Sequence, residues 1–169
     1  MRNLFPGLAH CALAACTASS AEKPAALPAP PPAIIAPAPP SYVQPTRILD
    51  QGAAGRLLAN KGVTLQWIDW NTRGTATVTR EANGVWHLRA AQAQANGPGR
   101  LRLDGDITEI GADYFTFEGT IRIADTPDAG RVCEKNKTWH FAVTQNRSYW
   151  RLREFEWCDG LTDYIDIYF

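Results

Sequence analysis

The chain has 169 residues and zero formal net charge, with nine of its twelve prolines between positions 24 and 45 and all six tryptophans from Trp67 onward. Segment 46–169 carries 15 Lys and Arg against 16 Asp and Glu. That balance excludes a strongly basic nucleic-acid binder, which needs excess cations to neutralise phosphate. No run of about 18 apolar residues occurs, so no ordinary transmembrane helix is encoded.

In chain order, residues 1–15 read as an export signal. Arg2 supplies a positive start, and residues 4–15 form a short, mostly apolar run. Leu13-Ala14-Ala15-Cys16 then resembles the lipobox of bacterial lipoproteins. The resemblance implies that Cys16 is acylated and begins the mature chain. By the same family's sorting pattern, Thr17 directs it to the outer membrane. Acyl chains anchor by burying methylenes at about 0.8 kcal/mol each. The alternative is an ordinary signal that releases a soluble exported protein. Residues 16–45 are then a tether, since residues 21–45 alone hold seven alanines and nine prolines. Proline removes backbone donors and fixes φ, so the segment is expected to be an extended spacer of about 3 Å per residue. A proline-rich ligand for a partner is the sharper alternative.

Residues 46–169 read as one domain, a size that suits a single core. Residues 52–60 are its one expected helix, stopped by Lys61 and Gly62. Beyond Gly62 the pattern has period two, broken by turn residues. Thr75, Thr77 and Thr79 line one face of a strand; Trp86 and Leu88 alternate with His87 and Arg89; Leu101 and Leu103 alternate with Arg100 and Arg102. In residues 114–124, Phe115, Phe117, Ile121 and Ile123 take one face, and Thr116, Glu118, Thr120 and Arg122 the other. Asn83-Gly84 predicts a two-residue hairpin turn. Eight or nine strands fit after Gly62. One wet and one buried face is the antiparallel signature, so the fold class is all-β, either an up-and-down barrel or a two-sheet sandwich.

A two-residue turn at Gln145-Asn146 sets a hairpin in register. It places Trp139 opposite Leu152, Phe141 opposite Trp150, and His140 opposite Arg151. The same register brings Cys133 opposite Cys158. In an oxidising compartment that pair predicts a disulfide, worth about 3 kcal/mol in the chain-entropy model. There is no Cys-x-x-Cys and no nearby histidine pair, so no metal and no cofactor is expected.

Chemistry is sparsely signalled. Neither His87 nor His140 sits beside a marked nucleophile. Glu154 and Glu156 share one strand face and Asp163 and Asp166 lie near the terminus, but glycoside hydrolysis needs carboxylates flanking a cleft. No catalytic residue is assigned, and a small glycan hydrolase using Glu154, Glu156 or Asp166 stays as a further alternative. The candidate ligand face is Arg147, Tyr149, Arg151, Arg153 and His140, with Arg131 near Cys133. Arginine makes planar two-pronged contacts to carboxylate and phosphate and stacks on aromatics. The bland alternative pairs these arginines with Asp163 or Asp166. Trp70 and Trp157 are the tryptophans expected to be exposed enough for sugar stacking.

Ile165, Ile167 and Phe169 alternate to the end of the sequence. This resembles the terminal strand of outer-membrane barrels, although the strands are short and charged on one face for that role. The same run, with Tyr149-Trp150-Arg151-Leu152 before it, resembles the C-terminal block of uncharacterised exported proteobacterial proteins. That resemblance implies no activity. The resulting expectation is a lipoprotein held to the outer membrane, with a non-catalytic module for an anionic glycan or lipid, or for an envelope protein. A structural or inhibitory role is the alternative.

Overall fold

The computed structural model describes residues 44–169. The expected signal, Cys16 and all but the last two tether residues lie outside the described residues. In order come β1 (Arg47–Ile48), α1 (Gln51–Leu58), β2 (Val63–Leu65), β3 (Thr75–Arg80), β4 (Trp86–Ala93), β5 (Arg100–Ile110), β6 (Tyr114–Ala124), β7 (Val132–Ala142), β8 (Tyr149–Leu152) and β9 (Ile165–Tyr168). From β2 to β9 each strand pairs with its successor, except that β2 pairs with β9, giving the order β2-β9-β8-β7-β6-β5-β4-β3. An antiparallel bridge between Val63 and Gly74 joins the two ends. The sheet is therefore an up-and-down, nearly closed barrel. β1 adds a short parallel pairing to β5 at Glu109 and Ile110, just past the end of the β4 ladder at Ile107.

Closure depends on glycine at the seam. A Cβ on Gly74 would lie 2.0 Å from the Ala91 carbonyl oxygen, and one on Gly62, at φ +100°, 2.2 Å from the Gly74 oxygen. A second close approach lies mid-sheet, where Gly105 of β5 faces Gly119 of β6. A Cβ on either would fall within 2.4 Å of the opposite strand's carbonyl oxygen. Glycine at such points lets strands approach and bend where any side chain would hold them apart.

The inward faces are the apolar ones the alternation predicts. Phe115, Phe117, Trp139, Phe141 and Trp150 have no exposed surface, and Phe115 stacks on Phe141 at 4.9 Å. Aromatic side chains thus fill the interior. α1 adds Ala53, Ala54 and Leu57 to this core, its first turn capped by the Asp50 carboxylate accepting from the Ala53 N–H at 2.6 Å. The helix lies one residue earlier than predicted at its start and two earlier at its end. Outward positions carry exposed Arg100, Arg102, Glu118, Arg122 and Glu134. A membrane-spanning barrel needs an apolar outer band, so the terminal-strand resemblance does not extend to these faces.

Two turns depart from the simple reading. At Asn83-Gly84 only Gly84 has positive φ. Gly84 N–H donates to Glu81 O, and Glu81 N–H to Val85 O, so the loop is three residues with Gly84 in the left-handed position, the next commonest hairpin solution. The predicted two-residue turn at Gln145-Asn146 is present, with φ values of 56° and 53° and the Arg147 N–H donating to Thr144 O. Beyond that turn the ladder slips. Val143 N–H turns to Asp113 O, and β7 pairs with β8 as Phe141–Leu152 and Ala142–Arg151. The predicted partner of Arg151 was His140, two residues away. A two-residue slip leaves every side chain on its predicted face, which is why the core assignment survived. The Cys133–Cys158 disulfide is present, with Cα atoms 5.9 Å apart. Cys158 reaches it from the loop after β8 and not from a continued ladder.

Candidate functional site

Trp150, Leu152, Ile165 and Ile167 point inward, so the pleat turns Tyr149, Arg151, Asp166 and Tyr168 outward from β8 and β9. Tyr149 pairs with Tyr168 and Arg151 with Asp166 across the two strands. Asp166 is nevertheless completely buried. Arg151 covers it with two charge-assisted hydrogen bonds, both 2.7 Å. Burial raises the Asp166 carboxyl above its usual range, against the opposing pull of Arg151. The Arg151 guanidinium also lies 4.1 Å from the Tyr164 ring centre, 5.1 Å from Tyr149 and 5.5 Å from Trp70. Of the candidate arginines, this one is consumed in an ion pair.

Its neighbours are not. Arg147 donates to the Tyr149 hydroxyl at 2.8 Å and lies 5.7 Å from that ring. Arg153 is exposed and lies 6.0 Å from the Phe155 ring. Neither has a carboxylate within ion-pair distance among the described residues. Together with Arg151, Tyr164 and the Gln145 turn they line one open cleft of about 440 Å³. The structure thus brings Arg147, Arg151 and Arg153 together beside Tyr149.

His140 is set against Arg153, whose backbone N–H donates to the His140 carbonyl at 2.8 Å, but it does not line the cleft. The slipped register moves His140 away from Arg151; its ring lies 5.3 Å from Tyr114, and its N–H donates to Glu154 Oε2 at 3.1 Å. Arg131 also serves elsewhere. It grips Asp159 at 2.7 and 2.8 Å and the buried Asp163 at 2.9 and 3.0 Å. Trp67 Nε1 donates to Asp163 as well, at 3.1 Å. The Arg131 hydrogen bonds hold the Asp159 carboxyl down to about 2.

The carboxylates weighed for hydrolysis are therefore dispersed: Asp163 and Asp166 each lie under a different arginine, and Glu154 accepts a backbone N–H. Cys133, Cys158 and Asp159 cluster closely, but the two sulfurs are bonded to each other, so no thiolate is offered to a metal. His87 lies between Asp106 at 2.7 Å and Asp104 at 3.2 Å on the outer face of β4 and β5. Trp70 is 41% exposed as expected. Trp157 is not: it is 7% exposed and packs edge-on against Trp139 at 5.2 Å.

Sequence reasoning missed Tyr164, Phe155, Tyr168 and Arg73 as neighbours of this face. The alternation of Tyr168 with Ile167 was a usable signal for one of them. The others depend on loops 66–73 and 153–164, for which periodicity says nothing.

The PM1083 family model matches residues 45–169. Over 116 residues the chain is 34% identical to the uncharacterised protein PM1083 of Pasteurella multocida (strain Pm70), covering 68% of this chain and 74% of that one. No solved structure matches.

Proposed function

We propose, from the premise that the chain belongs to the PM1083 family, that it is an envelope lipoprotein acting as a non-catalytic binding module for an anionic envelope component. The ligand's carboxylate or phosphate groups sit between Arg147 and Arg153. The chain is held to the outer membrane through acylated Cys16, with residues 16–45 as the tether. One observation carries the reading. Three guanidiniums line the cleft, and Asp166 is the one carboxylate bound to any of them among the described residues. The surplus cations are planar donors suited to two-pronged anion contacts.

A thermal-shift screen of the full-length chain tests this. The panel is acidic oligosaccharides, anionic lipids, lipopolysaccharide and peptidoglycan fragments. A ligand at 100 times its dissociation constant adds about 2.7 kcal/mol. Arg147→Ala/Arg153→Ala should abolish the shift while leaving the unliganded melting temperature near wild type, because neither residue is in an ion pair. A shift that persists in the double variant overturns the assignment. The second reading is a structural or inhibitory role, favoured by the consumption of Arg151 by Asp166. It predicts no shift with any compound.

A further inference from the structure

We infer that the anionic ligand is an acidic polysaccharide, and that its binding surface continues from the arginine cleft across β8 and β9 to Arg73. This rests on the cleft being an anion site.

The cleft is one end of a continuous run of neighbouring guanidinium groups and aromatic rings. At its near end Arg153 lies over Phe155, whose ring is 5.3 Å from that of Tyr164. Arg151 lies over Tyr164 and also contacts Tyr149. The Tyr149 ring is 5.2 Å from that of Tyr168 on the next strand. At the far end the exposed Arg73 sits 4.0 Å over Tyr168. Guanidinium groups and aromatic rings therefore recur across two strands and two loops. Among the described residues Asp166 is the one carboxylate in an ion pair with any arginine of the run.

A guanidinium held over a ring loses rotamer freedom before any ligand arrives, and Arg73 and Arg153 keep their N–H groups free of any carboxylate among the described residues. Unpaired cations at both ends of the run, Arg153 in the cleft and Arg73 over Tyr168, favour a polymer with repeated anions over one compact anion, because the second contact acts at high effective concentration. Trp70 separates sugar from a bare polyanion. Its indole is 41% exposed beside Arg151, and an aromatic face packs against the C–H surface of a pyranose, which polyphosphate lacks.

The test is binding of full-length protein, by calorimetry at fixed ionic strength, to oligogalacturonate, monomeric galacturonate, polyphosphate and neutral dextran. Oligogalacturonate should bind at least about tenfold more tightly than the monomer. Arg73→Ala should remove that gain and leave monomer binding intact, while Arg153→Ala should weaken both. Trp70→Ala should weaken oligogalacturonate without changing polyphosphate. All three side chains are exposed, and unchanged melting temperatures check the fold. Monomer binding with no gain in the oligomer, or insensitivity to Arg73→Ala, overturns the extended surface and leaves the cleft standing. Polyphosphate binding tighter than oligogalacturonate, or insensitivity to Trp70→Ala, overturns the glycan assignment. Failure of every anion overturns both the inference and the cleft on which it rests.

Discussion

Gln92 stitches the seam where the barrel ends meet, and its loss should be costly. It lies on β4, points inward and is 4% exposed. Its Oε1 accepts from the Leu65 N–H at 2.6 Å, and its Nε2 donates to the carbonyls of Asp69 at 2.9 Å and Thr72 at 2.7 Å. The amide thus replaces rungs that β2 and β3 lack beyond the Val63–Gly74 bridge. In Gln92→Leu the shape is nearly kept and three bonds vanish. At about 1 kcal/mol net each, with a further 1–3 for a stranded buried donor, and some return from the added apolar surface, the loss is about 3–4 kcal/mol. Urea unfolding should show an unchanged slope and a midpoint lower by about 1–3 M. Amide exchange at 69–74 should accelerate, because the loop carrying Trp70 is released. Gln92→Glu sharpens the test: its carboxylate would face two carbonyls, so it should be worse than Leu at neutral pH and recover on acidification. A Gln92→Leu protein within about 1 kcal/mol of wild type, or a Glu variant no worse than Leu, would refute the reasoning.

Other outcomes follow from the same geometry. Arg151→Met should cost about 3–5 kcal/mol by stranding a buried carboxylate, with Asp166→Asn in that background recovering most of it. Burial raises the Asp166 carboxyl and Arg151 opposes that rise, so the Arg151→Met deficit should be smallest at low pH, where Asp166 is protonated in both states, and grow as pH rises above the ordinary carboxylate value of about 3.9. A deficit independent of pH would count against this account. Asp159 is depressed to about 2 by Arg131, so its stabilisation is present above its ordinary value of about 3.9 and lost as pH falls from about 4 to about 2; Asp159→Asn should flatten that part of the acid limb in circular-dichroism melts. Two glycine replacements should have opposite signs in chemical denaturation. Gly119→Ala, whose Cβ would lie 2.4 Å from the Asp104 oxygen, should lose about 1–3 kcal/mol. Gly55→Ala, mid-helix with nothing within 4 Å, should gain about 0.5–1 kcal/mol.

Period-two alternation carried the fold because most inward residues are apolar, the buried amide of Gln92 on β4 being an exception. Strands β4 to β6 are readable on that ground, and β7 from Thr138 to Ala142; upstream, Lys135 and Lys137 take the face of Trp139 and break the apolar pattern. Barrel and sandwich were not separable, since closure is decided by Gly62, Gly74 and Gln92, which leave no periodic trace. The disulfide was predicted correctly from a register that is off by two residues. The slip is invisible in the pattern, because a shift of two conserves faces and only an odd shift would expose the error. The site was half legible. Arg147, Tyr149, Arg151 and Arg153 were identifiable as residues of one face. That Arg151 would be neutralised while Arg147 and Arg153 remain free was not, because Asp166 and Arg151 pair across β9 and β8, and β9 is reached only after loop 153–164.

That loop explains why the surface lies where it does. An eight-stranded barrel has an interior just wide enough for side chains or one small ligand, and here five large aromatics occupy it. The arginine cleft accordingly lies on the outside, where strands alone present alternating charges of mixed sign. β8 and β9 differ, being only four residues each and flanked by long excursions that carry aromatics. Such excursions need fixing, because irregular backbone has few ladder bonds of its own. Loop 153–164 is fixed by the Cys133–Cys158 bond and by Arg131 holding Asp159 and Asp163. Loop 66–73 is fixed from the other side by Gln92, and by Trp67 on the same Asp163. Asp163 thus ties both loops to one buried carboxylate, so the placement of Trp70 and that of Tyr164 share one anchor.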